Sequence, residues 1–62
     1  MDAIDYLSSQ LREEINAVTE SLAAGAAKDY AEYQALCGKI RGLLVAQSKL
    51  NDLKERMENS NE

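Results

Sequence analysis

The chain has 62 residues, seven basic and eleven acidic side chains, a net charge of −4, one cysteine and no histidine. These numbers exclude a Ser-His-Asp or Cys-His catalytic group, a histidine-ligated metal and a disulfide within the chain. We therefore expect a protein that is not an enzyme, with no cofactor, no metal and no small-molecule substrate. A chain this short forms one domain with a marginal core, so we expect oligomerisation or docking on a larger protein to complete it.

The first predicted element is an α-helix over about residues 3–24. Its apolar residues recur with a mean spacing of 3.6, which is typical of an amphipathic helix with one apolar stripe. The stripe consists of Ile4, Leu7, Leu11, Ile15, Val18 and Leu22. Asp2 precedes the helix and is the expected N-cap.

A turn is predicted over residues 23–29. Gly25 can adopt the left-handed conformation that ends a helix, and Asp29 followed by Glu32 has the spacing of a capping box. One continuous helix through the alanines of this segment is the alternative. A short connection makes consecutive helices antiparallel neighbours, so the sequence predicts an all-α, two-helix hairpin over residues 1–58.

The second helix is predicted over about residues 30–57, and residues 59–62 are predicted to be a polar tail. Leu36, Leu43, Leu50 and Met57 are spaced by seven, which permits local coiled-coil packing. The helix is expected to pack on the stripe of the first helix and to form the hairpin core with it. Its predicted core residues are Tyr33, Leu36, Ile40, Leu43, Leu44, Leu50 and Leu53.

A second face of this helix carries only small residues, namely Ala31, Ala35, Gly38, Gly42 and Ala46. A glycine inside a helix costs about 1 kcal/mol relative to alanine, and close approach of another backbone is the usual compensation. We therefore predict that this small-residue face binds a partner, with Arg41, Lys49 and Arg56 at its border. The alternative is that the first helix packs beside the glycines, which then accommodate one of its bulky side chains.

Two segments resemble a group of small helical proteins encoded by tailed bacteriophages: AKDYAEY at residues 27–33 and CGKIRGL at residues 37–43. The resemblance extends over roughly residues 25–57 and includes an acidic first helix, a short linker, a tyrosine and a G-x-I-x-G-L segment. It implies a phage protein made in the host cytoplasm and located in the virion near the portal or capsid. It assigns no activity, and no functional residue is transferred to this chain.

The leading hypothesis is a non-enzymatic structural protein of a phage particle, in the capsid, portal or connector region. It would act through helix–helix contacts, as a homo-oligomer or bound to a larger phage structural protein. No apolar run approaches the ~18 residues of a membrane span, so no membrane partner is expected. The alternative is a small dimeric four-helix-bundle regulator. It would inhibit a host protein or bind RNA through Lys39, Arg41, Lys49 and Arg56.

Overall fold

The structure is a computed structural model that describes residues 2–60, and this part of the chain contains two helices, α1 (Ala3–Ala23) and α2 (Tyr30–Asn59). An ion pair joins Asp5 near the start of α1 to Lys54 near the end of α2, and a second joins Glu14 in the middle of α1 to Lys39 in the first third of α2, so the helices are antiparallel. The predicted all-α helical hairpin is confirmed. The helix bounds lie within two residues of those predicted from the apolar pattern and the capping residues.

The N-terminus of α1 is capped as expected. The Asp2 carboxylate accepts a hydrogen bond from the backbone N–H of Asp5 at 2.8 Å. This bond satisfies one of the backbone donors that the first helical turn leaves without a partner.

Gly25 ends α1 through its left-handed backbone, with φ = +85°. Its N–H donates to the carbonyl of Leu22 at 3.1 Å, and the N–H of Ala26 donates to the carbonyl of Ser21 at 3.0 Å. These two bonds form a Schellman motif, which satisfies carbonyls at the end of the helix. The turn is therefore present, and the alternative of one continuous helix is wrong.

Reciprocal side-chain bonds start α2. The Asp29 carboxylate accepts from the backbone N–H of Glu32, and the Glu32 carboxylate accepts from the backbone N–H of Lys28, both at 2.8 Å. The second bond reaches one residue further back than in the usual capping box, where the N-cap N–H is the donor. The spacing of the two acids therefore predicted the helix start correctly.

The end of α2 differs from the predicted tail. Asn59 is helical, and Ser60 is the C-cap, whose hydroxyl donates to the carbonyl of Met57 at 3.0 Å. Helix α2 therefore extends two residues beyond its predicted end, into the segment predicted to be a polar tail. Residues 61 and 62 lie outside the described part of the chain.

The two helices meet along a narrow seam with alternating spacings of four and three residues. Strict alternation repeats every seven residues, as in a coiled coil, whereas the predicted stripe interrupted the alternation by taking Leu7 in place of Ser8. On α1 the seam contains Ile4, Ser8, Leu11, Ile15, Val18 and Leu22, and on α2 it contains Leu36, Ile40, Leu43, Gln47, Leu50 and Lys54. Every one of these residues is buried or half-buried, including the polar members.

Four residues predicted for the hairpin core lie outside the seam. Leu7 is 48% exposed, Tyr33 45%, Leu44 53% and Leu53 47%. A single partner helix covers only the seam and leaves the flanking positions in solvent, which is the reason for the error at Leu7, Leu44 and Leu53. Tyr33 lies near the turn and stacks on Tyr30, with 6.3 Å between the ring centroids.

The hairpin is one layer of helix thick. Its Cα atoms extend over 51 × 19 × 12 Å, and among residues 2–60 only Val18 is buried, at 6% exposure. Two-layer packing is what normally encloses a hydrophobic core. The molecule therefore has two broad faces that carry the side chains flanking the seam.

Candidate interaction surface

The small-residue face of α2 is exposed along its whole length. A Cβ atom added at Gly38 or Gly42 would have no heavy atom outside its own helical turn within 4 Å. Helix α1 therefore does not pack on this face. The alternative in which the glycines accommodate a bulky side chain of α1 is wrong.

An apolar groove of about 410 Å³ lies beside the seam on one broad face of the hairpin. Its walls come from both helices: Leu7 and Leu11 from α1, and Ala46, Leu50 and Leu53 from α2, with Lys49 at the edge. A groove with an almost entirely apolar lining is favourable for burying apolar side chains.

Ala46 and Lys49 belong both to this groove and to the surface predicted from the sequence. With 100° of rotation per residue, Gly42 and Ala35 project within about 40° of Ala46 around α2. The small-residue face therefore continues the groove along the same broad face toward the turn. We call the whole area, formed by the groove residues together with Ala31, Ala35, Gly38 and Gly42, the groove face.

Two lysines are held by ion pairs across the hairpin. Lys39 lies 3.2 Å from Glu14, and Lys54 lies 2.6 Å from Asp5. The hydrogen bond to Asp5, with a further contribution from its charge, raises the pKa of Lys54 above the ordinary value of 10.5. Both pairs are about half exposed, so their main effect is on helix register and much less on stability.

The three cations predicted to border the partner surface have no ion pair within residues 2–60. Lys49 and Arg56 line a shallow depression with Asp52 and Leu53, next to the groove. Arg41 is exposed but does not line the groove. The structure thus brings Lys49 and Arg56 to the edge of the groove face and leaves Arg41 apart from it.

Polar residues occupy the seam at the open end of the hairpin. The Gln47 amide donates to the hydroxyl of Ser8 at 3.2 Å, while the Gln47 Oε1 is buried without a hydrogen-bond partner. The apolar pattern of the sequence does not predict this pair, because neither residue is apolar. Continuing the alternating spacing from Leu36 and Ile40 would have reached Gln47.

Cys37 is half-buried beside the seam, where free cysteine behaves as a small apolar residue. A hydrogen bond with Cys37 raises the pKa of Tyr33 above 10.0. Within residues 2–60 no three His, Cys, Asp or Glu side chains are grouped so that they could hold a metal ion. Neither helix, over the same residues, has the length and apolar character needed to cross a membrane.

Comparison of the chain with protein-family models, curated protein sequences and solved structures gives no match.

Proposed function

We propose that this protein is a non-enzymatic structural protein that acts through helix–helix contacts, as a minor component of a phage virion in the capsid, portal or connector region. The assembly function is supported by the groove face. The phage setting is supported by the resemblance of residues 27–33 and 37–43 to small phage proteins.

The observation that carries the proposal is the open space around Gly38 and Gly42. Each glycine lies inside α2, where it costs about 1 kcal/mol relative to alanine. No side chain of the hairpin fills the space beside either one. A second helix that approaches α2 closely would offset this cost, because only residues without a large side chain allow the two backbones to come together.

Gly42→Leu tests this use of the surface. A leucine side chain here points into open space in the free hairpin, so helix content measured by circular dichroism should be preserved. The same side chain would block a closely packed helix, and the assembled mass measured by light scattering should fall to that of the single chain. Ser48→Leu adds the same side chain at an exposed position of α2 away from the groove face and is the matched control.

The virion setting has its own test. Quantitative mass spectrometry of purified particles of the phage that encodes the sequence should detect the protein at a constant copy number per particle. Its presence only in the lysate, and never in washed particles, would contradict the assignment to the virion.

A second candidate, the dimeric RNA-binding regulator, is favoured by one observation: Lys49 and Arg56 lie together without an ion pair in the described residues. Lys39, which the sequence analysis also assigned to phosphate binding, is paired with Glu14 instead. Binding to phosphate releases counterions, so RNA affinity should fall steeply as salt increases. A response that does not depend on salt would exclude this candidate.

A further inference from the structure

We propose that the groove face binds a second copy of this chain, with α1 of each copy against α2 of the other, to form a four-helix bundle. The inference deepens the proposed function and rests on it, because it names the partner that completes the hairpin. It is argued from the position of the groove, the charges of the two helices and the exposed area.

The groove is built by both helices at the same level of the hairpin. Leu7 and Leu53 are its outer walls, and they are 48% and 47% exposed. Both leucines lie toward the open end, since Leu7 belongs to the first half of α1 and Leu53 to the last third of α2. The largest apolar area of the groove face is therefore displaced from the middle of the molecule.

Because the groove lies toward the open end, only some two-fold arrangements of two copies place one groove over the other. A two-fold axis parallel to the helices places both open ends together, so that one apolar groove covers the other. A two-fold axis perpendicular to the helices would place each groove over the turn half of the partner and leave both grooves partly exposed. Burial of apolar area favours the parallel axis, which sets α1 of one copy antiparallel to α2 of the other.

The charges of the helices favour the same arrangement. Helix α1 carries four acids and one base, while α2 carries four acids and five bases, so their net charges are −3 and +1. Pairing α1 with the partner's α2 joins charges of opposite sign. Pairing α1 with the partner's α1 would instead bring two acidic helices together, which is unfavourable.

The exposed area matches what a dimer of this size needs. A folded monomer of 6.8 kDa is expected to expose roughly 4,000 Å², and this hairpin exposes 4832 Å². The excess is similar to the ~800 Å² that each partner buries in a standard protein interface. One broad face of the hairpin, 51 Å by 19 Å between Cα atoms, is large enough to bury it.

The experiment is the mass of the purified full chain by size-exclusion chromatography with light scattering, for wild type and two variants. The wild type should have twice the 6.8 kDa mass of the chain. Leu53→Asp places a carboxylate in the groove and should weaken the dimer by about a hundredfold or more, because the charge would be buried without a partner. Leu44→Asp makes the same exchange at a position that is 53% exposed on the other broad face of the hairpin, and it should remain dimeric.

Two results would overturn the inference. One is a wild-type chain that remains a folded monomer at high concentration. The other is a dimer that Leu53→Asp leaves intact. Where Leu53→Asp also loses helix content, the milder Leu53→Ala is used, and it should raise the dissociation constant by roughly tenfold while the helical signal is retained at high concentration.

The orientation is tested by mixing two chains that both carry Cys37→Ser, one with Leu7→Cys and the other with Leu53→Cys. A short bismaleimide should join the two different chains in preference to either chain with itself, because Leu7 of one copy faces Leu53 of the other. The control is a double variant, Ala46→Cys with Cys37→Ser. Efficient cross-linking between two copies of this variant would show that α2 of one copy packs on α2 of the other, which would overturn the proposed orientation.

These outcomes separate the inference from the proposed function. A monomeric chain, or a dimer through another face, overturns only the second-copy partner, because a larger virion protein can still occupy the groove face. Absence of the protein from purified particles contradicts the virion assignment and leaves the dimer unaffected.

Discussion

The half of the hairpin next to the turn and the half at its open end are held together differently. Near the turn the seam is apolar, with Ile15, Val18 and Leu22 of α1 packed toward Leu36 and Ile40 of α2, and two sets of capping bonds fix the chain. At the open end the seam contains two polar pairs, Ser8 with Gln47 and Asp5 with Lys54.

Apolar surface is distributed in the opposite way. Leu7, Leu53 and Met57, each about half exposed, lie in the open half together with the groove. In the turn half the exposed Tyr30 and Tyr33 stack on each other, and Leu44 is exposed near the middle of α2. The exposed leucines that wall the apolar groove lie in the open half. The difference teaches that the turn half specifies the hairpin and the open half supplies most of the surface for a partner.

The largest expected effect is at the centre of the turn half. Val18→Asp introduces a charge at the one buried position of the described chain, so we expect the hairpin to unfold. Circular dichroism should show most of the helical signal lost. Val45→Asp makes the same exchange at an exposed position of α2 and should retain the signal. Equal loss in both variants would show that the turn half has no special role.

The next largest effect on stability is expected at the hydrogen-bonded pair Ser8 and Gln47 in the open half. Ser8→Ala removes the hydroxyl to which the Gln47 amide donates and should lower the free energy of unfolding by about 1 kcal/mol. The double variant Ser8→Ala, Gln47→Leu removes the buried, unpartnered oxygen as well. It should be at least as stable as the wild type in urea unfolding. A double variant less stable than Ser8→Ala alone would contradict the role given to this pair.

Replacing glycine by alanine should have opposite effects on stability in the turn and inside α2. Gly25→Ala forces a side chain into the left-handed region and should destabilise the hairpin by about 1–2 kcal/mol. Gly38→Ala, which lies in the helix with open space around it, should stabilise the free hairpin by up to about 1 kcal/mol, with both glycine variants measured in the monomeric Leu53→Asp chain so that no partner contacts residue 38. Thermal unfolding of the two variants should therefore shift in opposite directions, and shifts of the same sign would refute this account.

The smallest effect concerns the ion pair at the open end. The pKa of Lys54 is raised in the folded hairpin, so its contribution to stability is fully present below the ordinary value of 10.5. The contribution is lost as the pH rises through the raised pKa. Lys54→Met should therefore reduce the fall in unfolding temperature above pH 10.5. The raised pKa of Tyr33 acts in the same direction, so part of the fall should remain in this variant.

Local signals made the hairpin itself predictable from sequence. Asp2, Gly25 and Asp29 are each a recognised start or stop signal, and each forms the bond or conformation that its type and position predict. Glu32 accepts from the N–H one residue before the one that the capping box predicts. Such signals act within one turn of helix. They do not depend on how the two helices later pack.

The seam residues were harder to predict from sequence. A position is buried where the other helix covers it, whether or not its side chain is apolar. A hydrophobicity pattern placed Leu7 in the core, whereas the coiled-coil spacing places Ser8 there and leaves Leu7 on the groove wall. The same coiled-coil spacing leaves Leu53 exposed and Gln47 half-buried. The small-residue face was visible in the sequence, but the groove that extends it depends on side chains from both helices.

The measurement that tests the central claim most directly is the midpoint of thermal unfolding over about a hundredfold range of protein concentration. If a second copy completes the hairpin, folding is coupled to association and the midpoint should rise by several degrees with concentration. Leu53→Asp should abolish this dependence. A wild-type midpoint that stays constant over the whole range, with the helical signal intact, would show that a second copy adds nothing to the stability of the hairpin and would contradict the account.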